Sequence, residues 1–137
     1  MAEYRLRQAE ASNLITGDDG MEFSQLLIDL NIDTQTLLNR FSGNEMLVKR
    51  FLLKFPNDAT YEKLCAACHA LDYTAIANEA HSLKGIASNL SLDRLGAQSS
   101  DLCEWMRAGK TEGIDERLKE ISAEYDRIVS LIAAFNT

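Results

Sequence analysis

The chain has little proline, few aromatic residues and only two histidines: one proline and 7% Phe, Trp and Tyr in 137 residues. With a single proline, nearly every segment is free to form an uninterrupted helix. No stretch approaches the roughly 18–20 apolar residues that a membrane-spanning helix needs. The opening MAEYRLRQAEAS lacks the apolar centre of a secretory signal, so a cytoplasmic location is expected. Cationic side chains are also scarce, 14 Lys and Arg against 21 Asp and Glu, for a net charge of −7. Such a surface repels phosphate backbones and anionic lipid, which argues against nucleic acid and membrane as partners. Three cysteines, an odd number, fit free thiols in a reducing compartment better than a disulfide framework. Strand-like alternation and internal repeats are missing as well.

What the sequence does contain is helical periodicity. Residues 1–20 are polar, end in Thr16-Gly17-Asp18-Asp19-Gly20, and read as an N-terminal arm and linker, leaving 21–137 as one domain. A short helix is predicted from Asp33, a good N-cap, through Leu37, Leu38 and Phe41 to Ser42-Gly43. A long one follows from Asn44 to about Ala70, with a kink or break at Pro56. Asp72 restarts the chain, and Ile76, Ala80, Leu83 and Ala87 form its apolar stripe. Leu92, Leu95, Ser99, Leu102 and Met106 mark the next helix. Ile114, Leu118, Ile121, Tyr125, Ile128, Ile132 and Phe135 mark the last. One-sided stripes and short connections predict an all-α fold: an antiparallel up-and-down four-helix bundle with a short extra N-terminal helix.

Both histidines fall in one stretch, CAACHALDYTAIANEAHSLKG, residues 65–85. The first closes Cys65-Ala66-Ala67-Cys68-His69, the spacing of covalent haem attachment, which needs two thiols and an adjacent axial histidine. Cys65 and Cys68 also fall on the apolar side of their helix, where buried free cysteine acts as a small hydrophobe. Without an export signal or a marked second axial ligand, core packing is the simpler reading and His69 a bystander. A small c-type haem protein remains the minor alternative.

The second histidine opens His81-Ser82-Leu83-Lys84-Gly85 beside the apolar stripe of its helix. Its neighbours three and four residues away are Ala77, Asn78, Lys84 and Gly85, with Ser88 one turn beyond. Small side chains around an imidazole leave it open to another protein. Glycine inside a helix costs roughly 0.5–1 kcal/mol relative to alanine, so Gly85 suggests room kept for a group on His81. Lys84 supplies a compact cation suited to phosphate. A neutral imidazole nitrogen beside a cation is the chemistry of a phosphoryl acceptor. No phosphate-cradling glycine loop or acidic metal cluster accompanies it. The rest of the transfer machinery, Mg²⁺ and its carboxylates, would come from a partner.

The string Ala80-His81-Ser82-Leu83-Lys84-Gly85-Ile86-Ala87-Ser88-Asn89-Leu90 strongly resembles the signature of histidine phosphotransfer (HPt) domains. Phe41-Ser42-Gly43-Asn44-Glu45-Met46-Leu47 is similar to the family's junction between its short and first long helices. Leu92-Asp93-Arg94-Leu95-Gly96-Ala97 and Arg107-Ala108-Gly109-Lys110 are similar to its next helix and following turn. The resemblance covers roughly residues 31–135.

It implies a four-helix bundle whose exposed histidine takes a phosphoryl group from an aspartate of one receiver domain and passes it to another. His81 would carry the phosphoryl group, at Nε2, with Lys84 stabilising it and Gly85 keeping clearance. Ala77, Asn78 and Ser88 would lie in the docking face. The resemblance implies a phosphocarrier with no ATP site, no autokinase activity and no cofactor of its own. Its partners would be response-regulator receivers or a hybrid sensor histidine kinase of which it is a module. A non-phosphorylated receiver-binding adapter is the alternative. Two positions depart from the family pattern. Ser91 stands where glycine is frequent, and reads as an N-cap. Cys103 stands where a site-facing Glu or Gln is common, which questions any hydrogen bond from that helix to the imidazole.

Overall fold

The computed structural model describes residues 18–136, so residues 1–17 of the expected arm lie outside it. Seven α-helices fill these residues, and no strand occurs among them: α1 (Asp18–Asp29), α2 (Thr34–Arg40), α3 (Glu45–Lys54), α4 (Thr60–Ala70), α5 (Tyr73–Asn89), α6 (Asp93–Arg107) and α7 (Ile114–Asn136). The expected all-α class holds.

Local chemistry sets the helix ends. Asp33 and Asn44 cap α2 and α3 by accepting from the amides of Thr36 and Leu47. The long helix foreseen from Asn44 to Ala70 breaks at Pro56 rather than bending. A 3₁₀ turn, Phe55–Asn57, ends α3, and Asp58 accepts from the amide of Thr60 where α4 begins. A helix not foreseen, α1, precedes Asp33. Its Phe23, Leu26 and Leu27, with Leu30 just past its end, are buried at helical spacing. Asp18–Gly20, read as linker, are its first turn.

By contacts the described chain forms two compact units. One comprises the chain up to Pro56 with Asn89–Ser91 and the segment from Ile128. The other comprises Asn57–Ser88 and Leu92–Arg127. In the first, the rings of Phe23 and Phe135 meet edge-on at 5.7 Å, and Lys49 Nζ lies 5.7 and 5.6 Å from their centroids. There too Ser91 corrects its expected role. It takes a left-handed φ of 57° and its hydroxyl accepts from Arg40 at 2.7 Å, while Leu92 stands at the N-cap of α6 without a side-chain cap. A left-handed backbone is what glycine adopts at no steric cost, and this accounts for the glycine expected at the position.

The second unit holds α4, α5, α6 and the first half of α7 as an up-and-down set. Tyr61, at the start of α4, stacks on Tyr125 with centroids 3.8 Å apart and donates to Ser122 at 2.8 Å. Asp115, ten residues earlier in α7, acts electrostatically on Cys68 near the end of α4, so the two helices run antiparallel. Helices α6 and α7 do likewise. Arg117 pairs with Asp101 at 3.1 Å, and its guanidinium and Lys110 cover the two-ringed Trp105 side chain at 3.4 and 3.9 Å. Leu64, Ile76, Leu83, Leu95, Leu102 and Ile121 are fully buried in this unit.

Candidate functional site

Helix α5 carries the site. Asp72 starts it by accepting from the Ala75 amide, and Ile76, Ala80, Leu83 and Ala87 hold one face in the core. At 3.6 residues per turn that burial leaves the opposite face in water. Its exposed positions are Tyr73, Thr74, Asn78, His81, Ser82, Lys84, Gly85 and Asn89. Lys84 is the one charged residue among them besides the titratable His81, and the helix's single carboxylate, Glu79, is half-buried. On a chain of net charge −7 this face lacks the prevailing sign.

His81, Lys84 and Gly85 thus share one exposed surface, as does Asn78, while Ala77 and Ser88 are half-buried along its edge. Neither His81 nor Lys84 has a hydrogen-bond or ion-pair partner among the described residues, so the imidazole and the ammonium both face solvent. A Cβ built on Gly85 would meet nothing within 4 Å. Nothing inside the protein therefore requires glycine there, and the missing side chain opens space outward, beside His81. Gly96 is different. A Cβ there would lie 3.3 Å from Ser88 Oγ, so this glycine lets α6 approach α5. Cys103 is buried at 3% exposure on α6 and is a core side chain.

The CAACH residues are arranged otherwise. Cys68 is buried, at 6% exposure, and its thiol is pushed up to about 11, chiefly by burial and then by Cys65 and Asp115. Cys65 is half-buried and His69 exposed. Among the described residues no group of three or more His, Cys, Asp or Glu side chains is placed to hold a metal ion. A polar cleft between α6 and α7, lined by Arg94, Gln98, Glu120, Ala123, Glu124 and Arg127, takes in no residue of α5. Sequence reasoning passed over Glu124 there, which is buried and pairs with Arg127 through both carboxylate oxygens at 2.8 and 2.9 Å. An acid three residues before an arginine on a helix was the available signal.

An all-helical unit that presents one unpartnered histidine at the middle of a helix, with a cation and a glycine beside it, defines a class: helical domains that expose a histidine to solvent. The sequence pattern of the Hpt domain matches residues 51–131, more than half of the chain, and the protein belongs to that family. Hpt domains serve histidine phosphotransfer in phosphorelays, act as phosphocarriers rather than enzymes, and interact with receiver domains of two-component systems. No curated protein and no solved structure matches the chain. Among the described residues no helix is long and apolar enough to cross a membrane.

Proposed function

We propose that this protein relays a phosphoryl group between aspartates of receiver domains through His81. The observation that carries the reading is the combination on α5: a solvent-facing imidazole without a partner, Lys84 one turn on, and a glycine whose missing side chain serves no internal packing. In the receiving step the Nε2 lone pair attacks the phosphorus of a phosphoaspartate. The N–P bond forms, the acyl P–O bond breaks, and the carboxylate leaves with its electron pair. The Lys84 ammonium offsets charge on the phosphoryl oxygens as they approach. Transfer onward reverses these events on a second aspartate. Mg²⁺ and the carboxylates that bind it belong to the receiver, and the domain itself needs no ATP site or cofactor.

Charge supports the choice of partner. A receiver brings an acidic, phosphorylated site, and α5 offers it a face with Lys84 and no exposed carboxylate. The assignment to the cytoplasm and to a relay module, free-standing or within a hybrid sensor kinase, rests on the same reading. The haem alternative finds no comparable support, because Cys68 packs as a core side chain.

Replacing His81 with Gln tests the relay against an adapter that only docks. The account expects His81→Gln to keep receiver binding within a few-fold while transfer from a phosphorylated receiver falls to background. Undiminished transfer with His81→Gln would refute it.

A further inference from the structure

The row that contains His81 runs back along α5 through Ala77 to Tyr73, which is 42% exposed. Just before it lies Leu71, 59% exposed. Leu71 caps α4 in the left-handed conformation, with φ 54° and ψ 36°. That position favours glycine or asparagine, and a branched apolar side chain there is unfavourable on the backbone and again on the surface. Its side chain adds nothing to the core. An outlier of this kind points from strain to function.

We propose that Leu71 and Tyr73 form an apolar anchor at one edge of the receiver-docking surface and help to select the receiver. This deepens the proposed function and rests on it. Tyr73 is eight residues from His81, or roughly 12 Å along the helix axis. A partner of ordinary footprint, about 800 Å² on this side, is about 30 Å across. A receiver centred on His81 therefore covers the α4–α5 turn whenever its long dimension follows α5. The exposed side chains between anchor and histidine, Thr74 and Asn78, are uncharged, and the one exposed carboxylate at this edge, Asp72, is engaged by the Ala75 amide at the start of α5. Tyrosine is among the side chains through which such contacts gain most affinity, and Leu71 beside it adds apolar area that a partner can remove from water.

The test compares the wild-type chain with Leu71→Gly and Tyr73→Ser. Phosphoryl uptake is measured from phosphoramidate, a small donor that needs no docking, and from the fastest-transferring member of a panel of phosphorylated receivers. Uptake from phosphoramidate should be equal in all three proteins. Transfer from the receiver should fall about tenfold in kcat/KM for each variant, through KM, with kcat within twofold. Leu71→Gly should meanwhile melt no lower than the wild type, because glycine suits the left-handed position. Stability and transfer thus move apart, as a purely structural role for Leu71 would not allow. Unchanged receiver KM in both variants overturns the anchor while leaving the relay intact. A changed oligomeric state in Leu71→Gly overturns it in favour of self-association. A wild-type chain that takes phosphoryl from neither donor removes the relay reading and the anchor with it.

Discussion

At the scale of single residues, Gly85 separates function from stability most cleanly. An added methyl meets open space, and alanine suits a helix interior better than glycine by roughly 0.5–1 kcal/mol. Gly85→Ala should therefore raise the urea midpoint while, if the proposed relay holds, slowing transfer from a phosphorylated receiver several-fold, since the methyl would stand beside the proposed phosphoryl site. A variant that is more stable and transfers as fast as the wild type would deny Gly85 its role. That His81, Lys84 and Gly85 share one exposed face was legible in the sequence, because one helix carries them at spacings of three and four and helical geometry alone places them together. Ser91 was not legible. Its left-handed backbone follows from the way α5 ends, with the Leu92 amide bonded to the Ala87 carbonyl at 2.8 Å, and its hydroxyl is engaged by Arg40, 51 residues away. Serine suggests an N-cap by propensity, and the geometry of the turn overrides that propensity.

At the scale of helices, the apolar stripes of α5, α6 and α7 foretold the faces they bury, because burial follows the 3.6-residue period directly. Helix α1 escaped notice behind a glycine-bearing, acidic stretch, although Phe23, Leu26, Leu27 and Leu30 follow the same period. Pro56 marked an interruption, but it did not say that the chain would restart, with the Thr60 amide donating to Asp58 where α4 begins. The α4–α7 seam had no sequence signal, because Tyr61 and Tyr125 are far apart in the chain. That seam makes stability depend on alkaline pH. Burial first, and then Cys65, holds the Tyr61 phenol up at about 12 from 10.0 against the lowering effect of Ser122, and the Cys68 thiol stands at about 11 from 9.0. Both groups keep their protons more tightly folded than unfolded. Their contribution is complete below about pH 9 and is lost as pH rises through 11 and 12. The denaturation midpoint should accordingly fall between pH 9 and 12, and less steeply in Cys68→Ala once compared with its own value at pH 8. Equal slopes would show that the thiol takes no part.

At the scale of the whole molecule, the proposed relay has the chain supply a nucleophile, a cation and an open face, and leave phosphoryl activation to its partner. The exposed face of α5, free of carboxylates on a chain of net charge −7, suits the acidic receiver that the proposal names. The most direct test of the central claim is intact mass under non-acidic conditions after mixing with a phosphorylated receiver domain, with His81→Gln alongside. The account predicts a single phosphoryl adduct on the wild-type chain and none on the variant. An adduct of equal abundance on His81→Gln, or no adduct on the wild type across a panel of receivers, would contradict it.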